Sequence, residues 1–305
     1  MDRIIRHWNI SNGCIEKISE TTWYISDGYV LKEYCNKKAL DRNIRFIKLL
    51  KQRNIPVAQI IPDQNGADHI KEGEKYYLLT ERLKGKNAVS VREWDGLPYQ
   101  IGKITGTLHK AFLDIPIDDE IWKNSLSDEM QGWIFDNFAN DNWKTIAREQ
   151  YEEVLFNLKK YYDVLPKQLI HRDVHLGNFL FSDGRFSGYI DFDLSQTNIR
   201  IFDVCYFLSG LPAGKENRID TAEWLCAVKD TISGYDSIMN LTAEEYSAIP
   251  YVMQSIELLF ISYSLGANDT DLLKQSKECF DLLKGTENEL KALFESDKNI
   301  HSVNK

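Results

Sequence analysis

An α+β fold of two lobes is what this sequence of 305 residues predicts, and three observations predict it. Short runs with period-two alternation, bounded by turn residues, fill the first part of the chain. Amphipathic helical patterns dominate the remainder. Between them in character, an Asp183-Gly184 turn flanked by apolar runs interrupts the helical part with a hairpin. The expected architecture is an N-terminal antiparallel sheet plus one helix over residues 1–83, then a larger, mostly helical lobe over residues 84–305.

Each element has its own justification. Cys14 to Ser19, Thr22 to Ser26 and Tyr29 to Tyr34 read as strands, the last alternating around Lys32. Lys37 to Arg53 reads as a helix because Leu40, Ile44, Ile47 and Leu50 fall on one face. Gln59 to Pro62 and Tyr76 to Leu79 are the remaining strands of the first lobe. Pro98 to Phe112 is a helix with Ile101, Ile104, Leu108 and Phe112 on one side. Asp114 to Trp143 is less regular. It is acidic, with Asp118, Asp119 and Glu120 among its carboxylates, and it interleaves Trp122, Trp133, Phe135, Phe138 and Trp143. A solvated acidic face over a small aromatic core accounts for it; so does a lip that attracts a cation. Thr145 to Leu165, Glu216 to Tyr235, Thr242 to Tyr263 and Asp269 to Ser296 read as helices, and Thr242 with Glu245 resembles a capping box.

Composition excludes several classes. The net charge of −9 argues against a nucleic-acid partner, whose phosphates call for a basic face. No apolar run approaches the roughly 20 residues of a membrane span, so no membrane association is expected. Five widely spaced cysteines lack metal-ligand spacing, which fits reduced thiols in a cytoplasmic protein. Neither a Walker loop nor GxSxG nor a dinucleotide glycine pattern occurs.

The chemistry concentrates around the hairpin. Phe179 to Phe181 is its first strand and Phe186 to Ile190 its second, so Asn178 entering and Asp191 leaving become neighbours. An amide oxygen beside a carboxylate suits magnesium. Asp173, on the loop leading in, is a second carboxylate able to take a hydroxyl proton.

The series His171-Arg172-Asp173-Val174-His175-Leu176-Gly177-Asn178, followed by Ile190-Asp191-Phe192-Asp193, resembles a kinase catalytic loop and metal site. Asp193 stands where protein kinases carry Gly, and no Ala-Pro-Glu follows. The chain resembles the aminoglycoside phosphotransferase and choline kinase superfamily of small-molecule kinases, nearest to its homoserine-kinase-type and spore-coat-kinase-like members. The resemblance implies a protein-kinase-like fold and an ATP- and Mg2+-dependent transfer of the γ-phosphate to a hydroxyl of a small molecule. It implies that Lys32 holds the nucleotide phosphates, that Thr21 and Thr22 lie over them, that Glu81 and Leu83 meet the adenine, and that Asp203 braces the catalytic loop. The family's helix carboxylate is missing: its position holds Asn43, with Asp41 nearby. Either Asn43 hydrogen-bonds Lys32, or Lys32 relies on Asp191.

Two other readings compete. A nucleotide-binding scaffold without transfer is motivated by Asn43. A metal hydrolase is motivated by His171, Asp173 and His175, although no further acidic-histidine pair completes a zinc site. The acidic stretch leans the acceptor toward an amine-bearing metabolite or an aminoglycoside-type antibiotic.

Overall fold

A computed structural model describes residues 1–10, 14–26, 28–117, 121–213 and 219–295. Asp118, Asp119 and Glu120 of the acidic stretch lie outside the described residues. In chain order the elements begin α1 (Asp2–Ile5), β1 (Ile15–Lys17), β2 (Thr22–Ile25), β3 (Tyr29–Tyr34), α2 (Lys37–Gln52), β4 (His69–Glu72) and β5 (Lys75–Glu81). They continue with α3 (Leu97–Phe112), α4 (Leu126–Gln131), α5 (Trp133–Asn140), α6 (Arg148–Tyr162), β6 (Lys167–Ile170), β7 (Phe179–Ser182), β8 (Arg185–Tyr189) and β9 (Gln196–Ile199). The last are α7 (Phe202–Gly210), α8 (Thr221–Met239), α9 (Ala243–Ala267), α10 (Thr270–Gly285) and α11 (Glu287–Leu293).

The chain divides into two compact units. Met1–Ala88 and Leu176–Ser195 form the first; Val89–His175 and the stretch from Gln196 form the second. The hairpin therefore belongs with the N-terminal sheet, and compactness divides the chain differently from a single cut after residue 83.

In the first unit, five antiparallel strands run in the order β1-β2-β3-β5-β4. Alternation works as the sequence dictates: Leu31 and Leu79, directly paired across β3 and β5, are both buried. Ile4, Ile5 and Trp8 pack on the same core. Helix α2 starts where the Asn36 side chain accepts from the amides of Lys38 and Ala39, and it buries Leu40, Ile44, Ile47 and Leu50. The expected strand at Gln59 to Pro62 is corrected. This segment makes one bridge, Ile60 to Thr80, and the paired strand is His69–Glu72. Gln59 and Ile61 do bond to Glu81 and Leu79 of β5, but Pro62 has no amide hydrogen to extend the ladder. The β7–β8 hairpin turns through Asp183 (φ 51°) and Gly184 (φ 70°). Two positive φ values define the turn that matches strand twist, which is why Asp-Gly signals it.

In the second unit, α3 packs along α8 with backbones nearly touching. A Cβ on Gly102 would sit 1.9 Å from the Thr231 carbonyl oxygen, and one on Gly234 would sit 2.1 Å from that of Tyr99. Helix α9 opens with the Thr242 and Glu245 capping box. Its length and composition would suffice to cross a membrane, but 78% of its apolar window is buried inside the structure, as in a core helix. The stretch expected to be less regular contains α4 and α5. Phe135, Phe138 and Trp143 cluster around Tyr151 of α6 with centroid separations of 5.4 to 6.1 Å, Phe138 fully buried and the other two half-buried. Trp122 and Trp133 are exposed. Strands β6 and β9 pair from Lys167 with Ile199 to Ile170 with Gln196, and β6 delivers the chain to His171.

Candidate active site

The first unit contains a cavity of about 320 Å3. Of the residues singled out in the sequence, Thr22, Lys32, Glu81, Leu83 and Asp191 line it; Asn43 lines it too. Thr21 is exposed and outside that lining, its carbonyl accepting from the amide of Glu33 at 2.8 Å. Most of the exposed lining is apolar, supplied by residues such as Ile18, Val30 and Leu180, and of its charged residues Lys32 and Asp191 pair to make one polar wall.

Lys32 makes that wall. β3 register places it opposite Thr22 and Leu78, and its Nζ donates to Asp191 Oδ1 at 2.9 Å and Asp193 Oδ2 at 2.8 Å. Burial alone would lower the lysine pKa; the Asp193 and Asp191 carboxylates outweigh it and raise it. Burial also pushes the Asp193 carboxyl up, and Lys32 opposes that rise. The question of the helix carboxylate is answered by geometry. Asp41 pairs with Lys37. Asn43 donates to the Tyr34 hydroxyl at 2.6 Å. Asp193 was not anticipated as a partner of Lys32. Its place two residues beyond Asp191 gives no strand-type signal, because Asp191 sits at φ 64° and Asp193 lies in a turn.

Asn178 is buried, and its carbonyl accepts from the amide of Ile190 at 3.1 Å. The two ends of the hairpin are thus adjacent, and Asp191 follows at φ 64°. A non-glycine residue there is strained, and such strain gathers at functional sites. Amide oxygen and carboxylate make an all-oxygen donor set, the kind that fits a hard divalent cation.

Asp173, in the second unit, accepts from the Tyr206 hydroxyl at 2.8 Å through Oδ1, and His175 Nε2 lies 3.4 Å from Oδ2. Burial would raise the Asp173 pKa. The His175 hydrogen bond and charge, the Tyr206 hydroxyl and His171 prevail and hold the carboxyl well below the usual range. Burial and Asp173 in turn raise the Tyr206 phenol, so it stays a donor. Tyr206 was missed by the sequence reading. It lies three residues after Asp203, on the same face of α7, which is the signal that would have found it.

Asp203 is fully buried and accepts three bonds: from the amides of His171 (2.7 Å) and Arg172 (2.9 Å) and from His109 Nε2 (2.8 Å). A carboxylate only accepts, so Nε2 carries the hydrogen and Nδ1 accepts from the Tyr235 hydroxyl at 2.8 Å. His109 is thereby a packed structural residue. Arg172 has φ 76°, its guanidinium lies 3.1 Å from Glu129 and its Cζ 4.0 Å over the Phe202 ring. Among the described residues no group of three or more His, Cys, Asp or Glu side chains is disposed to hold a metal ion.

Behind Tyr206, Glu257 of α9 is buried, and burial lifts its carboxyl from 4.5 to about 8, against the pull of a Ser209 hydrogen bond. Between those values the folded chain binds a proton that the unfolded chain does not. The proton's contribution to stability is full below pH 4.5 and is lost as pH rises through 8. Glu257→Gln should therefore gain on the wild type by a few kcal/mol (on the order of 1.4 kcal/mol per unit) as the pH is raised across that window. Denaturant titrations of both proteins at the two ends of the window measure it; parallel stabilities would show the carboxyl to be ionised in place.

Comparison with known proteins bears on the whole. A family model described as APH, the phosphotransferase enzyme family, matches residues 15–235. A homoserine kinase of Sinorhizobium medicae (strain WSM419) is 27% identical over 181 residues, covering 59% of this chain and 43% of that protein. One of Gluconobacter oxydans (strain 621H) is 22% identical over 231 residues, covering 74% and 70%. The chain thus spans less than half the length of the first of these relatives. Among solved structures, an amicoumacin kinase in complex with AMP-PNP, Ca2+ and its ligand superposes with a TM-score of 0.67 at 18% identity, over 93% of this chain and 90% of that one. A microcompartment-associated aminopropanol kinase gives 0.65 at 14% identity, over 97% of both. These neighbours share the two-lobed, kinase-like α+β fold. With its family model spanning most of the sequence, this chain belongs to the phosphotransferase enzyme family.

Proposed function

We propose that the protein is a small-molecule kinase that moves the γ-phosphate of ATP to a hydroxyl of a small, amine-bearing acceptor. The observation that carries this reading is the cavity of the first unit: a largely apolar slot with Glu81 and Leu83 on its lining and the Lys32–Asp191 pair at its polar wall. A purine fits the apolar part, and a point cation beside a carboxylate fits a phosphate chain and its counter-ion.

In this reading residues 1–83 form the nucleotide lobe and 84–305 carry the catalytic loop and the acceptor site. Glu81 and Leu83 present backbone groups to the adenine, and Thr22 lies over the phosphates, with Thr21 before it outside the cavity lining. Lys32 steadies the α- and β-phosphates. Asn178 and Asp191 would hold Mg2+, which when bound neutralises phosphate charge. Asp173 orients the acceptor hydroxyl and takes its proton as the new phosphate ester bond forms, the γ-phosphate leaving ADP behind. Its low pKa suits a proton taken late, after a loose transition state is passed. Catalysis then rests on position and charge more than on proton transfer. The amine on the acceptor is supported by the names of the relatives, which act on homoserine and aminopropanol. A cytoplasmic setting goes with this reading, since none of the five cysteines is in a disulfide.

A second reading, a nucleotide-binding scaffold without transfer, has one observation in its favour: among the described residues, no carboxylate of helix α2 meets Lys32. An ADP-release screen over amino alcohols, homoserine, sugars and aminoglycosides decides. Release that depends on one acceptor supports transfer; ATP binding with no release above background across the panel supports the scaffold.

A further inference from the structure

We propose that Asp193 is a positioning residue for Lys32, anchoring its ammonium at the pocket wall in place of a carboxylate from helix α2. The inference rests on the reading that the pocket takes a nucleoside triphosphate, and it says how this chain keeps its phosphate-facing cation in place.

A half-buried ammonium needs a counter-charge that stays with it. Helix α2 passes beneath the strand and offers none: Asp41 is engaged by Lys37, and Asn43 is neutral. Asp191 reaches Lys32, but it is the more exposed of the two carboxylates, 41% against 23%. It is also the group that a divalent cation on the phosphates would draw away. Asp193 is the better tethered. Its Oδ2 takes Lys32 Nζ at 2.8 Å, its Oδ1 takes the Tyr34 hydroxyl at 3.3 Å, and its carbonyl takes Arg42 Nη2 at 3.3 Å.

The helix still has a part, at one remove. Asn43 Nδ2 donates to the Tyr34 oxygen at 2.6 Å. That leaves the Tyr34 hydrogen for Asp193, and the tyrosine ring lies 5.2 Å from the lysine nitrogen. The relay runs from α2 through Asn43 and Tyr34 to Asp193 and so to Lys32, where a longer acidic side chain on α2 would reach the lysine directly. The loop that presents Asp191 thus also fixes the lysine.

The test uses the full chain and two substitutions, Asp193→Asn and Asp193→Asn combined with Asn43→Glu. Its first readout needs no ligand: acylation of Lys32 by an N-hydroxysuccinimide ester, mapped by peptide mass spectrometry. Asp193→Asn should raise Lys32 labelling several-fold, and the added Asn43→Glu should return it toward wild type. The second readout is ATP affinity without divalent cation, expected to weaken about tenfold in Asp193→Asn, with KM for ATP rising more than kcat falls, and to recover in the double variant. Unchanged labelling in Asp193→Asn would overturn the proposal whether or not the protein is a kinase. So would a double variant of wild-type melting temperature without recovery. So, too, would a loss confined to Mg2+ affinity with metal-free ATP binding intact, which would make Asp193 a metal ligand. If labelling behaves as expected but no ATP binds to the wild type, the anchor stands and the kinase reading falls.

Discussion

Asp173→Asn should lower turnover by about 10²- to 10⁴-fold, the usual worth of a positioned general base, while ATP affinity stays within about a factor of two of wild type. The substitution keeps the shape of the side chain and an oxygen for the Tyr206 hydroxyl, which donates to Asp173 at 2.8 Å. What it removes is the ability to accept a proton. The residues proposed to grip the nucleotide, Lys32, Glu81, Leu83 and Asp191, all lie in the other compact unit, so their contacts are untouched. The carboxyl of Asp173 is held below the ordinary range by His175, Tyr206 and His171 against the effect of burial. The wild-type rate should accordingly show no acid limb from this group down to about pH 5, since the base is already ionised there. Steady-state kinetics with the acceptor found by the screen, and calorimetric titration with ATP, measure the two quantities. Unchanged turnover in Asp173→Asn would remove the residue from the role.

Asp203→Asn should act through both stability and rate. Asp203 is fully buried and receives three hydrogens, two from loop amides and one from His109. An amide side chain offers one accepting oxygen and an NH2 that faces donors. At least one buried donor is stranded, which costs about 1–3 kcal/mol. The loop itself feels the loss, because Arg172 is held at φ 76°, a conformation that persists only while its surroundings enforce it. Release of the Arg172 amide would let the loop relax and shift Asp173, and a displacement of about 1 Å can cost on the order of 10²-fold in rate. Chemical denaturation and kinetics on the same preparation should show both falls. A variant with wild-type stability and turnover would show that the loop keeps its course without this carboxylate.

Much of the site was legible because it rests on local rules. Asp-Gly dictated the hairpin, and the hairpin dictated that Asn178 and Asp191 flank its two strands at the same end. Alternation placed Lys32 on the face of β3 that reaches the pocket. The motif resemblance led to Asp203, and the structure supplies the hydrogen bonds that explain it. What sequence left open depends on distance in space. Asp193 and Tyr34 meet Lys32 across 161 and two residues of chain respectively, and no spacing rule couples the first of these. Tyr206 meets Asp173 because α7 begins where β9 ends, a helix whose bounds no cap or apolar stripe announces in the sequence. The strand at His69–Glu72 escapes pattern recognition because three of its four residues are polar and only Ile70 reaches the core; it is an edge strand, with one neighbour. In the acidic stretch, Phe135, Phe138 and Trp143 pack around Tyr151 while Trp122 and Trp133 stay exposed, and only packing decides between those fates.

The crossing of α3 and α8 has a bearing on how such a chain can drift. Where Gly102 and Gly234 bring two backbones together, every larger residue is shut out by main-chain oxygens that have nowhere to retreat. The acid and amide groups of the hairpin and loop answer to chemistry; these two positions answer to geometry alone. A descendant that had abandoned its reaction, losing Asp173 and Asp191, would still be obliged to retain both glycines for as long as it kept its scaffold.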